Sequence, residues 1–340
     1  MPVGFAGRCL LTGLIWALPL QARAQTVQEF YKGKTVSLII PNAPGGSFDL
    51  YARLLASHIG RFIPGQPAIV PQNMPGAGGM QAANYLAGIA PKDGTVISVL
   101  VPYITLAQVL GLQAIAYDTR KFNWIGRIVA TTSTLFTWHT SATRTLADLK
   151  ARETLIATAG PLSQAEIDAN MLNGVVGTRF KLIRGYKGSA EAAFAVERGE
   201  ADGTLMPWEF LRSAHADWIR DRKISIVARF TRRPITERPD VGSVYELAET
   251  PEQRSVLGLF LGSDDMGHPI AMPPNVPRDR VEAIRKALNA MVEDADFIAD
   301  ASRRMLDLAP GRAEELERIV AEAFAAPPAA IEIARKYYRQ

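Results

Sequence analysis

Cysteine is nearly absent from this chain. Among 340 residues only Cys9 carries a thiol, so no disulfide can form within it, and thiol chemistry is confined to the N-terminus. Clustered positive charge is missing too. Lys and Arg total 38 against 34 acids and are spread along the chain, which excludes the basic tracts of a nucleic-acid or heparin binder. After the N-terminus no apolar run reaches the length of a transmembrane helix. The phosphate loop G-x-x-x-x-G-K-[ST], the dinucleotide fingerprint G-x-G-x-x-G and the nucleophile elbow G-x-S-x-G do not occur. The four histidines (His58, His139, His215 and His268) form no H-x-x-x-H or H-x-E pair, which argues for surface or satisfied side chains, not metal ligands. The acids of "EADG" and "SDD" lack calcium-loop spacing. No cofactor, metal or catalytic residue is expected.

The first residues read as an export signal. Arg8 precedes the run Cys9 to Leu18, which is too short to span a bilayer, and Ala22-Arg23-Ala24 is an A-x-A cleavage pattern. Residues 1–24 are therefore expected to be removed near Ala24/Gln25, giving an exported protein. Cleavage removes Arg8, Arg23 and no acid, lowering the formal net charge from +4 to +2.

The remaining length suffices for two domains, and 48% hydrophobic with 21% charged residues is ordinary for a soluble globular chain. Strand–loop–helix units recur. Thr35 to Ile40 reads as a buried strand, followed by "PNAPGGSFDLYARLL" and a helix. Ala68 to Val70 leads through "QNMPGAGGMQ" to a second helix, and Thr95 to Val101 forms a third strand. The alternation resumes with Thr154 to Thr158, "AGPLSQ", a helix from Ala165 to Leu172, Phe180 to Ile183 and a helix from Ser189 to Arg198. Thr204 to Met206 and Ile224 to Phe230 are further strands, and four helical stretches from Arg278 onward close the chain. Such alternation implies parallel sheets flanked by crossover helices.

Glycine turns at strand ends leave helix N-terminal amides aimed beyond the sheet, where α/β proteins bind ligands. A single Gly-Gly turn is weak evidence. Four such loops ("APGGSFD", "MPGAGG", "AGPLSQ" and "YKGS") at equivalent positions point to a site for a carboxylate held by amides in place of arginine.

Together, "PNAPGGSFDLYARLLA", "QNMPGAGGMQAANYLA" and "PKDGTVISVL" strongly resemble the Bug-type substrate-binding proteins of tripartite tricarboxylate transporters. "GYKGSAEAAFAVERGEADG" and the stretch from "SVYELAE" to "KALNAMV" resemble later parts of the same family, so the likeness covers the mature chain. The resemblance implies a monomeric two-domain periplasmic binding protein of the Venus-flytrap, type II-like form, each domain a mainly parallel sheet flanked by helices. It implies one domain from 25–128 plus 231–340, another from 129–230, and hinge strands near Trp124 to Val129 and Ile224 to Phe230. The function implied is delivery of a small organic carboxylate to a membrane permease; a receptor feeding a sensor kinase and an exported enzyme are the alternatives.

By that resemblance Gly45, Gly46, Ser47 and Asp49 hold one carboxylate with Val101, Pro102 and Tyr103, while Asn73, Gly76, Gly78 and Gly79 shape the pocket floor. Asp49 reads equally as a ligand contact or as the residue that caps the helix and fixes the loop. Arg53 is expected to pair with a helix-face acid or cover the surface. Across the cleft, Ser163 and Ser189 fall where the family contacts ligand. The chain departs from the family in "VPYIT" and at Met206, where an acid often meets a ligand amine. Glu209 either substitutes for that acid or is an exposed residue of a first helical turn. Tyr103, Met206 and Trp208 imply a more apolar pocket, suited to an aromatic or aliphatic acid more than to an amino acid, unless they pack in the hinge or core.

Overall fold

A computed structural model of the chain describes residues 25–42, 44–45, 47–112, 115–158, 163–186 and 189–338, with Met1 and Gly4. The expected export signal and Gly46 thus lie outside the described residues. Elements run α1 (Val27–Tyr31), β1 (Thr35–Ile40), α2 (Ser47–His58), β2 (Ala68–Asn73), α3 (Met80–Gly88), β3 (Val96–Val99), α4 (Ile104–Val109) and β4 (Asn123–Arg127). Next come β5 (Ser133–Trp138), α5 (Asp148–Ala151), β6 (Thr154–Thr158), α6 (Gln164–Val176), β7 (Phe180–Arg184), α7 (Ser189–Glu197), β8 (Gly203–Pro207), α8 (Trp208–Ala214), α9 (Ala216–Arg220) and β9 (Ile224–Arg229). The tail holds α10 (Pro251–Met266), β10 (Pro269–Met272), α11 (Arg278–Val292), α12 (Ala295–Arg303), β11 (Gly311–Arg312), α13 (Ala313–Phe324) and α14 (Pro328–Tyr338).

Two sheets result. The first has the order β11-β4-β10-β3-β1-β2, the second β7-β6-β8-β5-β9. Pairing is parallel for β1 with β2 and β3, and for β6 with β7 and β8. The sheets are mixed, because β5, β10 and β11 join antiparallel. Two-strand crossover units enforce parallel pairing only where a helix intervenes; the strands that carry the chain between sheets have no such constraint. Val36, Leu38, Ile39 and Ile40 of β1 are all buried, as expected for a strand covered on both faces.

The chain passes between the sheets twice, after β4 and between β9 and β10, the second time entering the first sheet through Gly267. There, Phe230 N–H donates to the Ser133 carbonyl (2.8 Å) and His268 N–H to that of Val129 (3.0 Å). Gly267 has φ +63°, and a Cβ would lie 2.3 Å from the Val129 carbonyl oxygen, so no larger residue fits this crossing. Helix α10 was not anticipated. It begins at Thr250 with a capping box to Gln253 and Pro251 in its first turn, but Gly258 and Gly262 weaken the apolar periodicity inside it. Helix α14 packs on α6 and α10, so part of the tail lies against the second lobe.

Candidate functional site

The first glycine loop is held from within. Asp49, 3% exposed, accepts hydrogen bonds from Gly45 N–H (2.9 Å), Arg53 Nε (2.9 Å) and Asn73 Nδ2 (2.9 Å). Asn73 also donates to the Asn42 carbonyl and accepts from Arg53 Nη2. The Arg53 guanidinium, with Gly45 and Asn73, outweighs burial and brings the Asp49 carboxyl down to about 2. Of the two readings of Asp49, the geometry is that of a loop anchor. The Gly45 amide, expected to be free, is taken by Asp49, and Ser47 is exposed.

The second loop is also engaged. Gly79 N–H donates to the Gly76 carbonyl, and the Tyr103 hydroxyl donates to the Gly78 carbonyl. Gly78 and Gly79 have φ of +61° and +90°, and Gly79 is buried against Val101 and Pro41. Tyr103 therefore ties the third loop to the second. Pro102 lines a separate cavity of about 230 Å³ between α4, α10 and α13, where Thr105 Oγ1 is buried without a partner among the described residues.

Strand ends of the second lobe carry a cavity of about 290 Å³. Its lining includes Ser133 of β5, Thr158 at the end of β6, Ser163 before α6, Thr204 and Pro207 of β8, and Asp264 from α10. This is where an open α/β sheet places its ligand, beyond the carboxyl ends of parallel strands. Ser163 is the N-cap of α6, its hydroxyl accepting from Glu166 N–H, and the first-turn amides beyond it are ones the helix cannot satisfy itself. Fully buried Glu166 accepts from Thr158 Oγ1 and from Arg184 on β7, fixing β6, α6 and β7 to one another. Ser189 opens α7; its side chain is outside the described residues.

Met206 and Trp208 do not line this cavity. Both are buried in a core cluster with Phe136, Trp138 and Trp218, because side chains alternate along β8 and Met206 takes the face opposite Leu205. Of the two alternatives for Met206 and Trp208, the structure has both packed in the core, so neither makes this cavity apolar. Glu209 stands at the crossing, not on an open surface. Its carboxylate accepts from Thr132 N–H at 3.2 Å, and burial, with Asp307 nearby, pushes it up to about 7. Next to it Arg212 pairs with Asp307 across the lobes, and Tyr51 donates its hydroxyl to the Asp307 carbonyl. His268 stacks on Phe48 at 3.9 Å, and burial lowers it to about 4; it is neutral near pH 7.

Asp264 was missed. "SDD" has no local spacing that marks a site; only the docking of α10 brings this residue to the cavity. Among the described residues its carboxyl has no hydrogen-bond partner, and the cavity is lined by no Lys or Arg. No group of His, Cys, Asp and Glu suited to a metal ion occurs among the described residues.

A family model described as the tripartite tricarboxylate transporter family receptor matches residues 51–332. A UPF0065 protein encoded in the gbd 5′ region of Cupriavidus necator is 26% identical over 304 residues, covering 84% of this chain and 83% of its own. Another, from the TAR-I ttuE–ttuC′ intergenic region of Agrobacterium vitis, is 30% identical over 293 residues, covering 84% and 78%. Among solved structures, a TctC solute-binding protein from Polaromonas without ligand aligns with a TM-score of 0.69 at 17% identity, over 90% of this chain and 99% of that one. MatC from Rhodopseudomonas palustris with bound malate aligns at 0.56 and 19% identity, over 88% and 99%. An R. palustris protein with adipate aligns at 0.59 and 18% identity, over 88% and 97%. These structural likenesses concern the fold, whereas the family match spans most of the sequence: the chain belongs to the tripartite tricarboxylate transporter receptor family.

Proposed function

We propose that this protein is an exported, periplasmic solute receptor that captures a small organic carboxylate between its lobes and delivers it to the membrane components of a tripartite tricarboxylate transporter. The observation that carries this reading is the second-lobe cavity. It lies at strand ends, receives the N-terminus of α6 behind the Ser163 cap, and is bordered by the crossing residue Ser133. First-turn amides and the positive end of the helix dipole suit a carboxylate without any cationic side chain. The bound malate and adipate of the two R. palustris structures support the ligand class, and the N-terminal charge, apolar run and A-x-A pattern support export. In this reading Asp49, Asn73 and the glycines of the first lobe shape their loops, and the closing lobe brings those loops over the ligand.

A thermal-shift screen against aliphatic dicarboxylates, aromatic acids and amino acids tests the proposal. A true ligand at a hundredfold excess over its Kd stabilises by about 2.7 kcal/mol. If no carboxylate raises the melting temperature, or if the bound acid is chemically converted, the receptor reading fails.

A further inference from the structure

The cavity between α4, α10 and α13 shares no described residue with the second-lobe cavity. Along α10 it follows Arg254, Gly258, Gly262 and Met266, a face that repeats every fourth residue. Neither glycine is demanded by its backbone or by crowding. Neither has a positive φ; a Cβ on Gly258 would meet nothing within 4 Å, and one on Gly262 would lie 3.5 Å from Ile319 Cγ2, an ordinary contact. Inside a helix, glycine is the least favourable residue after proline. What this pair does is leave an open channel beside α10.

The wall of the channel holds a polar group that folding has left unmatched. Thr105 of α4 is 3% exposed, and its hydroxyl has no hydrogen-bond partner among the described residues. A helical threonine hydroxyl commonly turns back to a carbonyl three or four residues earlier, but this one does not. Leu106, Leu259, Met266, Ile319 and Ala323 make the surroundings apolar. A buried hydroxyl in such surroundings calls for a partner from outside the chain.

Charge at the cavity is uneven. Arg232 and Glu322 neutralise one another, both Nη atoms donating to Glu322 Oε2 at 3.1 Å. Arg254 is exposed, and its guanidinium has no partner among the described residues, which leaves one positive charge at the rim. From Arg254 to Met266 the lining follows about three turns of helix, roughly 18 Å. The volume is only about 230 Å³, room for about eight chain atoms at roughly the volume of a water molecule each. Long and narrow, the channel fits an unbranched chain and not a ring.

We infer that this cavity is a second binding site, for an unbranched aliphatic carboxylate with a hydroxyl along its chain. The carboxylate sits on Arg254, the chain lies against Gly258 and Gly262, and the hydroxyl meets Thr105. The inference is independent of the receptor reading, which concerns the other cavity.

Titration calorimetry on the purified protein tests this with octanoate, its hydroxy derivatives substituted at mid-chain and at the far carbon, octanol and octylammonium. Octanoate should bind, and at least one hydroxy derivative should bind about fivefold tighter, the scale of one neutral hydrogen bond. Octanol should bind up to about fivefold weaker than octanoate, as expected for loss of an exposed ion pair, and octylammonium weakest of all. Thr105→Val keeps the shape without the hydroxyl and should erase the gain from the hydroxyl of the ligand. Arg254→Gln should bring octanoate down to the level of octanol, and Gly258→Leu should fill the channel and abolish binding of the whole series. None of the three variants should melt below the unmodified protein: valine removes an unmatched hydroxyl, leucine suits a helix better than glycine, and Arg254 is exposed. Binding that survives Gly258→Leu, equal affinity for octanoate and octylammonium, or no gain from any hydroxy derivative overturns the inference, as does no binding at all. Each of these outcomes leaves the receptor reading standing.

Discussion

Asp49 shows how a carboxylate beside a glycine loop can serve the loop and not a ligand. Its two oxygens are filled by a backbone amide, a guanidinium and an amide side chain. Because its folded pKa is depressed to about 2, the stability it contributes is present above the ordinary carboxylate range and is lost as pH falls towards that value. Asp49→Asn should cost about 2 kcal/mol at neutral pH, on the scale of hydrogen bonds to charged groups. In denaturant titrations the gap from the unmodified protein should narrow on acidification.

Glu209 runs the other way. Its folded pKa of about 7 lies above the ordinary 4.5, so the folded state binds the proton more tightly than the unfolded chain does. The associated stability is complete below the unfolded value and disappears as pH rises through about 7. Glu209→Gln keeps an acceptor for Thr132 N–H without the buried charge. It should raise stability by about 1–3 kcal/mol near pH 8 and by nothing near pH 4, read from melts at both.

At the scale of the element, two glycines with the same dihedral make contrasting predictions. Gly45 and Gly79 both have φ +90°, but a Cβ on Gly45 meets nothing within 4 Å, while one on Gly79 would lie 2.6 Å from Val101 Cγ1. Gly45→Ala should cost about 1 kcal/mol, the strain of the backbone alone. Gly79→Ala should cost about 1–3 kcal/mol more through overpacking against the third loop. Differential scanning calorimetry separates the two. The sequence could mark both as turn glycines, but whether a turn faces open space or another loop depends on the packing of three strand ends.

Across the whole molecule the lobes meet at Arg212 and Asp307, whose side chains are 41% and 42% exposed. Such a pair contributes about 0–1 kcal/mol. Arg212→Ala should therefore shift the open–closed ratio by no more than about fivefold. Small-angle scattering of the free protein should show a slightly larger radius of gyration, with little difference at saturating ligand.

The sequence by itself determined most strands (not β5, β10 or β11), most helices, the glycine loops and the family, because these depend on neighbours along the chain: alternation, caps and turn chemistry. The caps of α6 and α10 are written in Ser163 and in Thr250 with Gln253. Only the tertiary structure decided which polar groups remain free. Gly45 N–H lost its freedom to Asp49, which Asn73 from the next strand holds in place, Met206 turned inward with the pleat of β8, and Asp264 came to the cavity on a helix remote in sequence from every strand around it. Free donors and acceptors are what is left after folding has matched the rest, and that matching is made in space, between residues that the sequence keeps far apart.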